Sequence, residues 1–338
     1  MNENKILHIM ILDKFLAPFI NFVDEHFGRK NHHYVFITSE KYEFGLTPEH
    51  KVEFLHTDDD IFITLLEYMK VAKKIILHGL WRDKVDILLY FNQELLKKCF
   101  WVMWGGDFYF PEKQTWFRHQ IIKEMGYCIP VTYDDYLYIE SYYNSFAEYC
   151  KVINYPRSIK VDNFQIINKE NTNQKRILVG NSATPTNQHT EIFNKLTKFK
   201  NIDVLVPLSY GDIMYKQEII KVGDELFANR FYPLVELMEY NDYLNFLNSI
   251  DIAIFNHNRQ QAVGNIILLL SIGKTIYLSK SNNAYNMLKN LNITFKNISE
   301  IDDDIKEISF DDKINNQKII IENYSEEKAV LQWSEIFE

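Results

Sequence analysis

The chain has 338 residues, of which 46% are hydrophobic and 15% aromatic, and a formal net charge of −9. That length suits two domains of roughly 150 residues each, and the acidic balance argues against broad binding to a nucleic-acid backbone. No window approaches the roughly 18 uninterrupted apolar residues of a membrane span, and MNENKILHIMILDKF carries no signal-peptide cleavage pattern, so the expectation is a soluble, cytoplasmic protein.

Apolar runs at 5–12, 33–38, 52–55, 74–78, 99–104, 128–132 and 150–154 predict strands, and the segments 14–27, 60–72, 82–98, 114–125 and 134–147 predict helices between several of them. Alternation of this kind implies a doubly wound, mostly parallel sheet. The run Asp58–Asp60 is placed to cap the second helix. Cys99, Cys128 and Cys150 are odd in number and form no CxxC pattern, which argues against a disulfide framework and a zinc site and leaves buried thiols.

Residues 155–174 change character: Pro156 breaks the strand, and Asn, Lys, Glu and Gln follow without period. The expected boundaries are therefore a first domain over 1–157, a linker over 158–174, a second domain over 175–310 and a helical, acidic tail over 311–338 that packs back on the first domain. Strands at 176–180, 203–207, 251–255, 275–279 and 293–295, a short segment near Phe231, and helices at 186–199, 213–227, 240–248, 261–272 and 283–290 repeat the pattern. Two such units form a cleft, with ligands at the carboxyl ends of the strands.

Two stretches of the second domain suit an anion. In RILVGNSATPTNQH (176–189) a buried strand meets Gly180, which permits a close turn. Ser182 and Thr184 can cap, and Pro185 suits a first helical position. An ordinary strand-to-helix turn is the plainer alternative. In DIAIFNHNRQQAVGNIILLLSIG (251–273) a polar cluster precedes a helix that is apolar nearly all round, so its N-terminal end needs partners or a ligand. Arg259, beside the helix ends, would neutralise a diphosphate; the alternative is a local carboxylate partner. No G-x-G-x-x-G follows the first strand and no P-loop occurs. No DxD run at a strand end demands a metal-bound nucleotide sugar, and an arginine with helix amides makes a metal unnecessary.

In the first domain, WVMWGGDFYF (101–110) ends a strand in Gly105 and Gly106, with Asp107 at its carboxyl end. Asp107 reads as a general base on an acceptor hydroxyl, as a sugar-binding group, or as a turn cap. Trp104 and Tyr109 suit stacking on a sugar. His78, next to a glycine at another strand end, reads as structural or catalytic. Lys97, Lys98, Trp116, Arg118 and Lys123 would form an amphipathic face for anionic lipid, with scattered surface charges as the alternative.

Taken in order, ILVGNS with Asn187 and His189, VPLSYG (206–211), YxxYLxxLxxxD ending at Asp251, RQQxVG (259–264) and WGGDFY (104–109) resemble the bacterial N-acetylfucosamine (4-acetamido-4,6-dideoxygalactose) transferase family, glycosyltransferase family 56. The resemblance implies an α/β GT-B fold, two Rossmann-like doubly wound domains facing across a cleft. It implies transfer of an acetamido-dideoxyhexose from a dTDP-sugar to a polyprenyl-diphosphate-linked glycan at the inner membrane; such an acceptor would bring the protein to the cytoplasmic face as a peripheral protein, and no metal cofactor is expected. Matching positions assign Asn181, Ser182, Arg259, Gln260, Gln261 and Gly264 to the donor, extended to Gly180, Asn187, His189, Tyr210 and Asn265. His78, Trp104, Gly105, Gly106, Asp107 and Tyr109 fall to the acceptor. Many GT-B enzymes carry a glutamate for ribose hydroxyls where this chain has Ile267–Leu270, which fits a deoxyribose. A nucleotide-sugar epimerase and a non-catalytic nucleotide-sugar-binding protein are the alternatives.

Overall fold

A computed structural model describes residues 3–152, 155–156, 165–166, 174–302 and 304–338. The chain divides into two compact units, one of residues 1–160 with 324–338 and the other of 161–323. Most of the segment expected as a linker lies outside the described residues.

In the first unit, β1 (Ile6–Met10), β2 (His32–Phe36), β3 (Glu53–Phe54), β4 (Lys74–His78), β5 (Cys99–Val102), β6 (Tyr127–Ile129) and β7 (Glu148–Tyr149) form one parallel sheet, ordered β3-β2-β1-β4-β5-β6-β7. Helices α1 (Leu16–His26), α2 (Leu66–Val71), α3 (Asp83–Phe91), α4 (Trp116–Lys123) and α5 (Tyr133–Tyr143) connect the strands. The strands are apolar on both sides because both faces are covered. Leu7, Ile75, Leu77 and Trp101 pack on the side of α2 to α5. Ile6, Met10, Ile76 and Phe100 pack on the side of α1 and of α12 (Glu326–Phe337), the last helix of the chain. Trp333 of α12 meets Phe19 edge-on at 4.9 Å, and Lys74 Nζ donates to Ile336 O at 2.8 Å.

That second face encloses a polar row. His8 Nδ1 lies 3.1 Å from His78 Nε2, His8 Nε2 lies 2.9 Å from His32 Nδ1, and His78 Nδ1 lies 2.9 Å from the Tyr155 hydroxyl. Burial holds these imidazoles below their ordinary range, His78 at about 3 and His32 at about 4, so they pair as neutral donors and acceptors.

The second unit repeats the plan with β8 (Lys175–Val179), β9 (Ile202–Pro207), β10 (Phe231–Leu234), β11 (Ile252–Phe255), β12 (Thr275–Leu278) and β13 (Lys296–Asn297), ordered β10-β9-β8-β11-β12-β13. Its helices are α6 (His189–Leu196), α7 (Ile213–Phe227), α8 (Tyr240–Ser249), α9 (Val263–Ser271), α10 (Ala284–Asn290) and α11 (Phe310–Tyr324). In each sheet the strand order reverses beside the unit's first strand, between β1 and β4 and between β8 and β11. Crevices at such points, outside the carboxyl ends of the strands, hold ligands in open α/β sheets.

Several boundaries differ from expectation for local reasons. The helix expected over 82–98 stops at Asn92, whose amide donates to Leu88 O at 2.8 Å, and a 3-10 stretch Gln93–Lys98 follows. The last strand falls at Lys296–Asn297 and not at 293–295, because Ile293 N still bonds Leu288 O to close α10. β7 pairs two residues earlier than the 150–154 run, with Glu148 opposite Tyr127. Asp60, of the acidic run, accepts from the amides of His56 and Thr57, and its own amide donates to Thr57 Oγ1. Cys99 and Cys128 are buried free thiols and Cys150 is half-buried.

Candidate functional site

The crevice of the second unit is built by the loops after β8 and β11. Gly180, at φ +70°, turns the chain out of β8, and a Cβ there would lie 2.5 Å from His189 Nε2 and 2.6 Å from Asn187 Oδ1. Asn187 then organises the loop. Its Oδ1 accepts from Asn181 N at 2.9 Å, and its Nδ2 donates to Ser182 Oγ and Thr184 O at 3.2 and 3.0 Å. These bonds, with Gln188 at φ +52°, break the helix expected over 186–199 into a 3-10 turn Pro185–Asn187 followed by α6.

The loop after β11 reaches across. His257 is wholly buried, with Nε2 2.9 Å from Asn187 Oδ1 and 3.1 Å from Asn181 Oδ1. Both partners are amide oxygens, so Nε2 carries the proton. Nδ1 faces Asn282 Nδ2 at 3.1 Å, and Asn282 is oriented because its Oδ1 accepts from Ala284 N at 2.9 Å. Nδ1 is therefore the acceptor, and the ring is neutral. Burial, then the Arg259 charge, then His189, push its pKa down to about 3. Gln261 Nε2 donates to Asn181 Oδ1 at 2.9 Å and Ser182 Oγ at 3.1 Å, while its Oε1 accepts from Thr186 Oγ1 at 2.7 Å. Asn181 Nδ2 donates to the Tyr210 hydroxyl at 2.9 Å. Arg259, half-buried, donates through Nη1 to Gln260 O at 2.9 Å. Gly264 and Asn265 sit in the first turn of α9, whose leading N–H groups lack helical partners. The loops 180–189 and 257–261 contribute hydroxyls, amides, imidazoles and a guanidinium, and no carboxylate. That is an environment for an anion with hydroxyl groups around it.

The structure thus joins Gly180, Asn181, Ser182, Asn187, Tyr210 and Gln261 in one cluster, with Arg259 and Gln260 in the same loop as Gln261 and Gly264 and Asn265 in the first turn of the helix that follows. His189 lies beneath the loop: it is buried, its Nδ1 meets the Tyr215 hydroxyl at 3.1 Å, and burial pushes its pKa down to about 3. Sequence reasoning missed His257 as the node of the network and Asn282 as its anchor. The NHN after β11 was the available signal for the first; nothing in the SKSNN turn signalled the second.

The first unit corrects several expectations. Asp107 is wholly buried and accepts from Trp101 Nε1 at 2.8 Å, Trp104 N at 3.1 Å and Leu80 N at 3.2 Å. Burial raises its pKa and these donors oppose the rise. In this arrangement Asp107 ties the ends of β4 and β5 together, the cap reading, and is not presented to an acceptor hydroxyl. Tyr109 is buried, with its hydroxyl on Asp135. His78 belongs to the imidazole row. Gly106 is occupied by Trp81, whose Cη2 would stand 3.0 Å from a Cβ there; Gly79 likewise makes room for that indole, with Nε1 2.0 Å from the Cβ position. Gly105 is buried, at φ +93°. Trp104 stacks on Phe15, ring centres 5.3 Å apart. Of the proposed lipid face, Arg118 is removed: it is 8% exposed and holds Asp86, Nη2 to Oδ2 at 2.8 Å. Trp116 remains exposed.

Two doubly wound units of this topology are those of the GT-B fold. Among solved structures, the chain is similar over 98% of its length to HepE of Anabaena in complex with UDP (98% of that chain, TM-score 0.72, 12% identity). It is similar over its whole length to a glycosyltransferase from Rickettsia africae (98% of that chain, TM-score 0.71, 12% identity). The lipopolysaccharide outer core galactosyltransferase WaaB matches over 98% of each chain (TM-score 0.66, 10% identity). Residues 12–321 match the 4-alpha-L-fucosyltransferase family, glycosyl transferase group 56, and the chain belongs to that family.

Proposed function

We propose that the protein transfers an acetamido-dideoxyhexose from a dTDP-sugar to a polyprenyl-diphosphate-linked saccharide, with the donor in the crevice between β8 and β11. The observation that carries this reading is the Asn181–Ser182–Gln261 hydrogen-bond cluster, in a loop that also holds Arg259, whose charge acts on the buried His257, and that leads directly into the first turn of α9. The guanidinium and amides would stabilise the departing diphosphate as its bond to the anomeric carbon breaks, while the acceptor hydroxyl attacks that carbon and gives its proton to the leaving diphosphate oxygen. The reading assigns that charge to Arg259 and the helix end and asks for no metal. HepE, of similar fold, has been solved with UDP and with UDP-glucose, which supports a nucleotide-sugar donor. Ile266 to Leu270 of α9 are buried and apolar, so no carboxylate from that stretch is available to a ribose 2′-hydroxyl; this favours a deoxyribose. No helix among the described residues is long and apolar enough to cross a membrane, and the reading has the chain meet its lipid-linked acceptor from the cytoplasmic membrane surface.

Calorimetric titration with dTDP, UDP and GDP tests the donor. The wild type is expected to prefer dTDP, and Arg259→Ala to lose most of that affinity. Equal affinity for the three nucleotides, or an indifferent variant, would overturn the assignment.

A further inference from the structure

The first unit carries a second crevice at its own point of strand reversal, between β1 and β4. Ile9, Met10, Ile37 and Leu77 make its apolar floor, Trp81 and Arg82 stand at its wall, and Asp86 of α3 lines it. Its interior has room for one water-sized group. Asp86 is wholly buried. Its Oδ2 accepts from Arg118 Nε and Nη2 at 2.9 and 2.8 Å, whereas Oδ1 is buried with no hydrogen-bond partner. A buried, unpartnered carboxylate oxygen is costly to leave unsatisfied. Burial raises the Asp86 pKa to about 6 while the Arg118 charge opposes the rise, so above that pH the carboxylate is ionised, Oδ1 acts as an acceptor, and what completes it must bring a donor of hydroxyl size. Arg82 Nε is spent on Ile37 O at 3.0 Å, which fixes that side chain at the rim. The two glycines that seat Trp81, Gly79 and Gly106, hold the indole beside the opening. An aromatic wall over a single-hydroxyl pocket suits a sugar ring, with its C–H face on the indole and one hydroxyl below.

We propose that this crevice is a carbohydrate subsite of the first unit, in which a ring rests on Trp81 and one of its hydroxyls donates to Asp86 Oδ1. The inference rests on the glycosyl-transfer reading, because a transferase needs an acceptor saccharide, but it concerns residues that no feature of the donor crevice involves. Asp86 receives the hydroxyl and fixes the ring; it is a binding residue.

Saturation-transfer NMR on the full chain with N-acetylglucosamine and methyl α-D-glucoside as probes tests it. At least one sugar is expected to bind the wild type, and Trp81→Ala and Asp86→Asn are each expected to weaken it about fivefold or more, the loss of one hydrogen bond or one stacking contact. Trp81→Ala decides the matter if Asp86→Asn does not fold. Absence of saturation transfer to the wild type, or equal transfer to a folded Trp81→Ala, overturns the subsite. So does a sugar-soaked crystal with only a water on Asp86 Oδ1. A parallel dTDP titration separates the two readings: sugar binding without nucleotide binding retires the donor assignment and leaves the subsite standing.

Discussion

Asn282→Asp puts the hydrogen-bond logic of the donor crevice to a direct test. In the wild type, His257 Nδ1 accepts from Asn282 Nδ2 at 3.1 Å and Nε2–H is shared by Asn181 and Asn187. The substitution keeps Oδ1 on Ala284 N and replaces the amino group with a carboxylate oxygen. An acceptor then faces an acceptor, unless His257 Nδ1 takes a proton. Two unit charges about 4 Å apart at an effective dielectric constant near 20 attract by about 4 kcal/mol, equivalent to ~3 pKa units. The wild-type value of about 3 would rise to ~6. Histidine side-chain 15N shifts report the change: His257 is expected to stay a neutral Nε2–H tautomer to pH 5 in the wild type and to titrate near pH 6 in the variant. Anion affinity follows the same sign. Above ~pH 6 the new carboxylate is uncompensated and dTDP binding falls; below it the imidazolium cancels that charge and binding recovers. A folded variant whose His257 remains neutral down to pH 5, with dTDP affinity that tracks the wild type, would refute the tautomer assignment.

Replacing Asp107 by Asn removes a carboxylate that serves three donors, so stability to urea is expected to fall by about 2–3 kcal/mol while kcat of the folded fraction stays within about tenfold. A loss beyond about a thousandfold in a folded variant would reinstate Asp107 as a base. The buried imidazoles make the whole chain acid-sensitive. The folded values of His32, His78, His189 and His257, about 4, 3, 3 and 3, lie below the unfolded 6.5. The unfolded chain therefore binds more protons, and stability is full above about pH 6.5 and drains as pH falls, at roughly 1.4 kcal/mol per unit for each group. Urea midpoints that decline steeply between pH 7 and 5 are expected; a midpoint flat to pH 5 would contradict the neutral rows.

The alternation of strand and helix was readable because each strand is covered on both faces and so appears as a short apolar run. KIILH at 74–78 and the helix 213–227 fall at their observed bounds, since glycine, aspartate and the run's own ends mark them. Where side chains rather than period set the boundary, the reading slipped. Asn92 ends α3 by bonding its own helix, and Asn187 bends the entry to α6 through bonds to residues five and six positions earlier. The role of α12 depends on Trp333 and Phe337 finding α1 and the imidazole row, contacts some 300 positions apart in sequence.

For the sites, turn chemistry is local and was visible: a glycine after a strand, a polar cluster before an apolar helix, an arginine among amides. What joins these pieces is strand order. His257 meets Asn282 because β11 lies beside β12, and it meets Asn181 because β11 lies beside β8; neither adjacency is written in the stretch 251–273. The first unit shows the cost of judging by motif. WGGD placed Asp107 at a strand end where chemistry is common, while Asp86 sat unremarked in the middle of a helix. Counting donors reverses their standing. Asp107 has two oxygens and three donors from its own chain, so it is spoken for by the fold. Asp86 has one oxygen anchored by Arg118 and one left over in a crevice. A lone pair that the fold has not used is what a substrate can find, and only the three-dimensional partners of each carboxylate reveal which one keeps it.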